Sequence, residues 1–247
     1  MKINVKNPLF ILAAGAILVT GSTFGATKAV QEYTSAPQAV QFETAEFYVN
    51  LKEEQEGKLV SVAGTDEKPG TLVIPALAGV NEGKEELQVN YEYPERVVVE
   101  NNSDGDFPQY VRVVVDKYWL DEEGNKDQSA NPEYITLGAK SDWLKVESED
   151  DKEQTVYYYT KPLAKGEVAD LLESVSLDNG VLIEYSKTEV DEDGNKLVTI
   201  SGYEGKSFRI DVKVDAVQTH HAKDAILGAW GIDVTIDNAG TITSINE

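Results

Sequence analysis

Phe208-Arg209-Ile210-Asp211-Val212-Lys213-Val214-Asp215-Ala216 decides the fold class. Apolar residues fill every even position, and charges of alternating sign fill the odd ones. A period of two gives a strand with one buried face and one wet face. Arg96 to Glu100 and Tyr110 to Leu120 are two further β-rich runs, separated by the loop signal Asn101-Asn102-Ser103-Asp104-Gly105-Asp106. In the later run Val111, Val113 and Val115 share one face. Val114, Tyr118 and Leu120 share the other, which predicts a strand buried on both sides.

Working outward, Asp121-Glu122-Glu123-Gly124-Asn125-Lys126 and Asp191-Glu192-Asp193-Gly194-Asn195-Lys196 resemble each other. Gly-Asn between β-rich runs supplies positive φ angles, so both read as hairpin tips. Val156 to Tyr159 is a strand, and Val168 to Leu177 reads as a segment that begins helical and ends as strand. Residues 39 to 51 read as an early strand whose phase slips near Glu43, as a β-bulge would cause. Between Thr219 and Gly231, Ala222, Ala225, Ile226, Ala229 and Trp230 fall at i, i+3, i+4, i+7 and i+8. That stripe predicts one short helix, with Thr219 at its start and Gly231 at its end. Ile232, Val234, Ile236 and Ile242, broken by Asn238-Ala239-Gly240, predict a terminal hairpin. The fold class expected is all-β: a jelly-roll-like β-sandwich with one short helix near the C-terminus.

The N-terminus predicts export. Lys2 and Lys6 precede an uncharged stretch from Pro8 to Ala26 with a compact apolar centre, and small residues follow it. Basic, then apolar, then small is the order of a cleavable signal peptide. The competing reading is a retained membrane anchor; Gly21, Ser22 and Gly25 weaken a helix where an anchor needs length. The expected organisation is a signal peptide over 1–26, a free segment over 27–38 and a β-sandwich domain over 39–247. The chain has 22 basic and 44 acidic side chains, a net charge of −22; residues 1–26 hold two lysines and no acid, which leaves −24. Such a charge opposes binding to nucleic acid or an anionic membrane, so membrane contact is expected only through the signal segment before cleavage. With no cysteine, disulfides and thiolate sites are excluded. No LPxTG-type sorting pattern is present.

No motif selects catalytic, cofactor-binding or metal-ligating residues. His220 and His221 are adjacent, so their side chains diverge by about 100° on a helix, and neither belongs to an HExxH pattern. Gly205-Lys206-Ser207 imitates the end of a phosphate loop, but the spacing to Gly202 is wrong and a strand follows. Glu189, Asp191 and Asp193 before Gly194 resemble half of a calcium loop, with Ile200 standing where a bidentate Glu is required. Exposed strand edges remain as a functional feature, because unpaired N–H and C=O groups accept a strand from another molecule. The candidate donor is Thr27 to Gln38, with Ala29, Val30 and Tyr33 as its polymerisation residues; an untidy tail is the alternative.

Three stretches carry a family resemblance: Tyr110 to Trp119, then Tyr157-Tyr158-Tyr159 with Pro162-Leu163-Ala164-Lys165-Gly166-Glu167, then Val212 to Trp230. With the signal segment Gly21 to Ala29, they resemble the TasA/camelysin family of Gram-positive biofilm matrix proteins, exported through a specialised signal peptidase. The resemblance implies a jelly-roll subunit of secreted matrix fibres, with itself as partner in a homopolymer alongside other matrix or cell-wall components. It also implies that the N-terminal strand of one subunit completes the sheet of the next. The peptidase activity ascribed to camelysins is not carried over, because HExxH is absent. The Glu-rich stretch Lys52 to Glu56 departs from the family. Two other readings stand beside the filament: a monomeric binding or adhesion module contacting its ligand through Tyr157, Tyr158 and Tyr159, and a metal-dependent peptidase using His220 and His221.

Overall fold

A computed structural model describes residues 48–65, 67–81, 84, 88–183, 186–190, 196–200 and 206–246. The signal segment, the segment 27–38 with Ala29, Val30 and Tyr33, and the phase slip near Glu43 lie outside these residues. So does the acidic tip 191–195.

Fourteen strands are described. They are β1 (Val49–Gln55), β2 (Lys58–Gly64), β3 (Gly70–Thr71), β4 (Tyr93–Asn101), β5 (Gln109–Leu120), β6 (Ile135–Ala139) and β7 (Trp143–Glu147). After these come β8 (Gln154–Tyr159), β9 (Val168–Leu177), β10 (Ser186–Val190), β11 (Lys196–Ile200), β12 (Ser207–Gln218), β13 (Asp233–Ile236) and β14 (Ile242–Asn246). One five-stranded antiparallel sheet has the order β2-β1-β4-β9-β6, the other β3-β12-β5-β8-β7. A single apolar core joins them: Val49 and Leu51 of β1, Val97 and Val99 of β4, Leu171 and Val175 of β9 meet Val111, Val113 and Val115 of β5 and Ile210, Val212 and Val214 of β12. The protein is an all-β sandwich.

The alternating stretch Phe208 to Ala216 lies within β12, and Ile210, Val212 and Val214 are its buried face. β12 pairs with β5 over twelve consecutive residues, Ser207 opposite Leu120 through Gln218 opposite Gln109. β5 is buried along Val111, Val113 and Val115 and at Tyr110 on the other face, while Val114, Tyr118 and Leu120, the predicted second apolar set, are only half-buried. Val111, Val113 and Val115 enter the core, while Tyr110 meets a second apolar cluster with Tyr158, Val217, Ile226, Trp230, Val234 and Ile242. That second cluster is built by helix α1 (Ala222–Trp230) and the β13–β14 hairpin packed on the outer face of the β12-β5-β8 sheet. Tyr110 fixes the hairpin by donating from its hydroxyl to the Gly240 carbonyl at 2.6 Å.

Several expectations need correction. The segment Val168–Leu177 is strand throughout, because β4 and β6 pair with it on either side and this ladder overrides its helix propensity. The Asp121–Lys126 turn forms, with Gly124 at φ 82°, but it does not open a hairpin. After the single bridge Leu120–Lys126 the chain crosses to β6 in the other sheet. The strands around the second acidic tip do pair, Ser186–Val190 with Lys196–Ile200. Helix α1 starts three residues later than Thr219, with His221 in the left-handed region at φ 51° and no side-chain cap; Gly231 ends it at φ 72° as expected.

The side of the sandwich is closed where β2 runs into β3, and the backbone there is very tight. A Cβ placed on Gly70 would lie 2.1 Å from the carbonyl oxygen of Val62, so only glycine lets the two segments touch. Gly70→Ala is expected to cost about 2 kcal/mol or more, read as a lowered urea midpoint. Gly57→Ala, at a turn position (φ 75°) with open space around it, should cost less.

Candidate functional site: the open edge of β12

In β12 the even residues direct their backbone groups away from β5. The pairing itself gives this parity: the Leu72 N–H donates to the Ile210 carbonyl at 2.9 Å from the far side, while on β5 the amides of Gln109 and Lys117 donate to Leu163 and Glu153 on the side away from β12. β3 covers only Asp211 and Val212. From Lys213 to Gln218 no strand among the described residues pairs with this edge. The outward N–H and C=O groups of Val214, Ala216 and Gln218 are therefore a template for an added strand.

A buried polar corner lies where this edge ends. Gln218 is paired with Gln109, whose side-chain amide reaches Asn101 Oδ1 at 3.1 Å and the Ser103 hydroxyl. Ser103 Oγ accepts from the Tyr48 amide at 2.9 Å and donates to the Tyr48 carbonyl at 3.1 Å. Asn101 Nδ2 donates to the carbonyls of Phe107 and Leu163 at 3.0 and 2.9 Å. Tyr48 is thus tied into the same polar corner as Gln109, the partner of Gln218.

The edge is partly covered by a strap, Gly70 to Leu77, which carries β3 and a single 3₁₀ turn, Pro75–Leu77. Thr71 Oγ1 donates to Asp211 Oδ1 at 2.5 Å. The next hold is a carboxylate inside the core: Glu53, fully buried, accepts at Oε1 from the amides of Val73 and Ile74 at 2.8 and 2.9 Å. Its Oε2 accepts from Gln55 Nε2 at 2.6 Å. Ile74 sits at φ 52°, a conformation costly for a β-branched side chain.

Glu95 lies on the same inner face, from β4, and is only 2% exposed. Neither of its carboxyl oxygens meets a hydrogen-bond donor among the described residues. Burial, then the charge of Glu53, pushes its pKa up to about 8. A proton on Glu95 converts an acceptor facing an acceptor into a donor for Glu53. The strand ladder is irregular here, with register shifts between Pro94 and Val98. A cleft of about 460 Å³ opens at this irregularity, lined by Glu54, Glu95, Arg96, Lys140, Asp170 and Glu173 among others. Its cations are engaged at the rim: Arg96 binds Glu54 and Asp170 at 2.9 and 2.8 Å, and Lys140 binds Glu173.

Both acids were legible in the pattern, though not as a pair. Val49-x-Leu51-x-Glu53 and Tyr93-x-Glu95-x-Val97 each put a glutamate in the apolar phase. The tyrosine run reads differently in the structure than on paper. Tyr157 is in the main core and Tyr158 lies under α1, its ring 5.6 Å from Trp230. Only Tyr159 is partly exposed, because a central strand covered on both faces leaves no aromatic surface. His220 and His221 stand on the surface with rings 4.3 Å apart, edge to face. Among the described residues no group of three His, Asp or Glu side chains is placed to hold a metal, and no helix is long and apolar enough to cross a membrane. No known protein family, curated protein or solved structure matches the chain.

The sign of the Glu95 effect follows from linkage. With a pKa of about 8 in the folded state against an ordinary 4.5, the native state binds the proton more tightly than the unfolded chain. This contribution is complete below about pH 4.5 and is lost as pH rises through about 8. In Glu95→Gln the amide supplies a permanent donor to Glu53. Its urea midpoint should match wild type below about pH 4.5, exceed it increasingly from about pH 5 to 8, and keep a constant lead above that. Parallel curves for the two proteins across that range would contradict the assignment.

Proposed function

We propose that this chain is an exported structural subunit that assembles with copies of itself into extracellular matrix or surface filaments. In this reading cleavage near Ala26 frees residues 27–38, and that segment, through Ala29, Val30 and Tyr33, adds as a strand to a neighbouring subunit. The observation that carries the proposal is the unpaired run Lys213–Gln218 on β12. Six residues of strand extend roughly 20 Å, and the twelve-residue segment 27–38 is ample to cover them.

Two further features support it. The sandwich is proposed to be of jelly-roll type, since β4 to β5, β5 to β6 and β8 to β9 all cross between the sheets. The binding-module alternative loses its aromatic contact, because Tyr157 and Tyr158 are interior.

Purified residues 27–247 are expected to form filaments visible by electron microscopy, and a chain starting at Ala39 is expected to stay monomeric. Equal assembly by both would sink the donor role. Ala216→Pro tests the acceptor. It removes an N–H that faces the open edge rather than β5, a position where proline is tolerated. The variant should keep the wild-type circular dichroism spectrum and lose assembly; a folded Ala216→Pro that assembles normally would rule out the β12 edge.

A further inference from the structure

We propose that Glu53 and Glu95 form a proton-operated latch on the Gly70–Leu77 strap, and that the latch sets how much of the β12 edge a partner strand can reach. The part concerning assembly rests on the reading of β12 as the acceptor; the latch itself does not.

The strap has few holds. Two residues of β3 pair with β12, one further amide bonds Ile210, and the next two amides both depend on Oε1 of Glu53. Ile74 would leave its left-handed conformation if released, so the strap is strained toward opening. Leu72, Ile74 and Leu77 hold it shut through their buried side chains. The balance turns on whether Glu53 can stay fixed.

What fixes or disturbs Glu53 is Glu95. Protonated, Glu95 donates to it and offsets the charge. Ionised, it has no free cation beside it among the described residues. On β1 the neighbouring groups are Glu53, Gln55 and, on the other face, Glu54. On β4 it is Arg96, already shared by Glu54 and Asp170. From β9 come Asp170 and Glu173, and after β6 comes Lys140, which binds Glu173. Two carboxylates confined in one apolar site repel strongly. Glu95 falls in the register shift of β4, between residues held by β9 at Tyr93 and Pro94 and by both β1 and β9 at Val97, so the backbone on either side of it is fixed. The partner that can move is Glu53's hold on the peripheral strap. Release would lengthen the free edge from Lys213–Gln218 to Ile210–Gln218.

Hydrogen exchange with mass spectrometry on the full chain at about pH 6 and about pH 9, corrected for intrinsic rates, reads this directly. In wild type the amides of Leu72, Val73 and Ile74 should lose about tenfold or more in protection at the higher pH, while the β5–β12 ladder holds. Glu95→Gln should keep the strap protected at both values. Equal strap protection in wild type at both pH values, or the same loss in Glu95→Gln, overturns the latch. Filament growth is followed separately, and should be faster near pH 9 in wild type and indifferent to pH in Glu95→Gln. A strap that opens while growth stays unchanged overturns the link to assembly and leaves the latch standing.

Discussion

The twelve-residue ladder between β5 and β12 is the constraint from which the rest of the molecule follows. One face of the pair supplies Val111, Val113, Val115, Ile210, Val212 and Val214 to the core, which obliges the other sheet to stack there. The opposite face is apolar at Tyr110 and Val217, which obliges α1 and the terminal hairpin to cover it. β5 is also paired along its other side with β8. Three of the four surfaces of the pair are thus consumed by folding. The fourth, the outer edge of β12, pairs among the described residues only with the two-residue β3, with β2 passing close to it.

That imbalance is unusual, because long uncovered edges invite aggregation and proteins ordinarily blunt them. Devices for blunting exist here in part. The outward face of β12 carries Arg209, Asp211, Lys213 and Asp215, which discourages flat sheet stacking, and Arg112 holds Asp215 at 2.7 Å. No proline or covering helix is placed over Lys213–Gln218 among the described residues. The strongly acidic chain adds long-range repulsion between copies. Association then needs the specific hydrogen bonding of an added strand to overcome a general repulsion, which favours ordered pairing over amorphous clumping.

Much of this was legible in the sequence because the ladder residues obey strict alternation. Phe208 to Ala216, the two-faced Tyr110 to Leu120 run, the Ala222–Trp230 stripe and the closing hairpin all follow local periodicity. The misreadings share a different cause. Val168–Leu177 was ambiguous because its Leu171-Leu172 pair breaks the alternation at a bulge; only its neighbours β4 and β6 decide it. The Asp121 turn gives the right local geometry, but which sheet the chain enters next is a long-range matter. Tyr157-Tyr158-Tyr159 invited a surface reading since nothing local reveals that β8 is covered on both faces. The strap was invisible: two residues of strand carry no periodic signal.

Glu53 and Glu95 show how local rules fail where packing has another task. Alternation places both acids inside, a signal easily lost among forty-four acids in the chain. Inside they are. Glu53 has a structural use, since its carboxylate satisfies three donors and holds a β-branched residue in a left-handed turn. A glutamine could accept only through one oxygen and would leave part of that set unmatched. Glu95 has no such use, and a valine or leucine would pack there at lower cost. Its strand, β4, is the middle one of its sheet, in the layer opposite the β5–β12 ladder. Through Glu53 the carboxyl pair of like charge is tied to the strained Ile74 and to the strap whose pairing with β12 ends at Val212 among the described residues. That combination marks the strap as a low-stability part of the structure, beside the strand edge proposed to accept a partner strand.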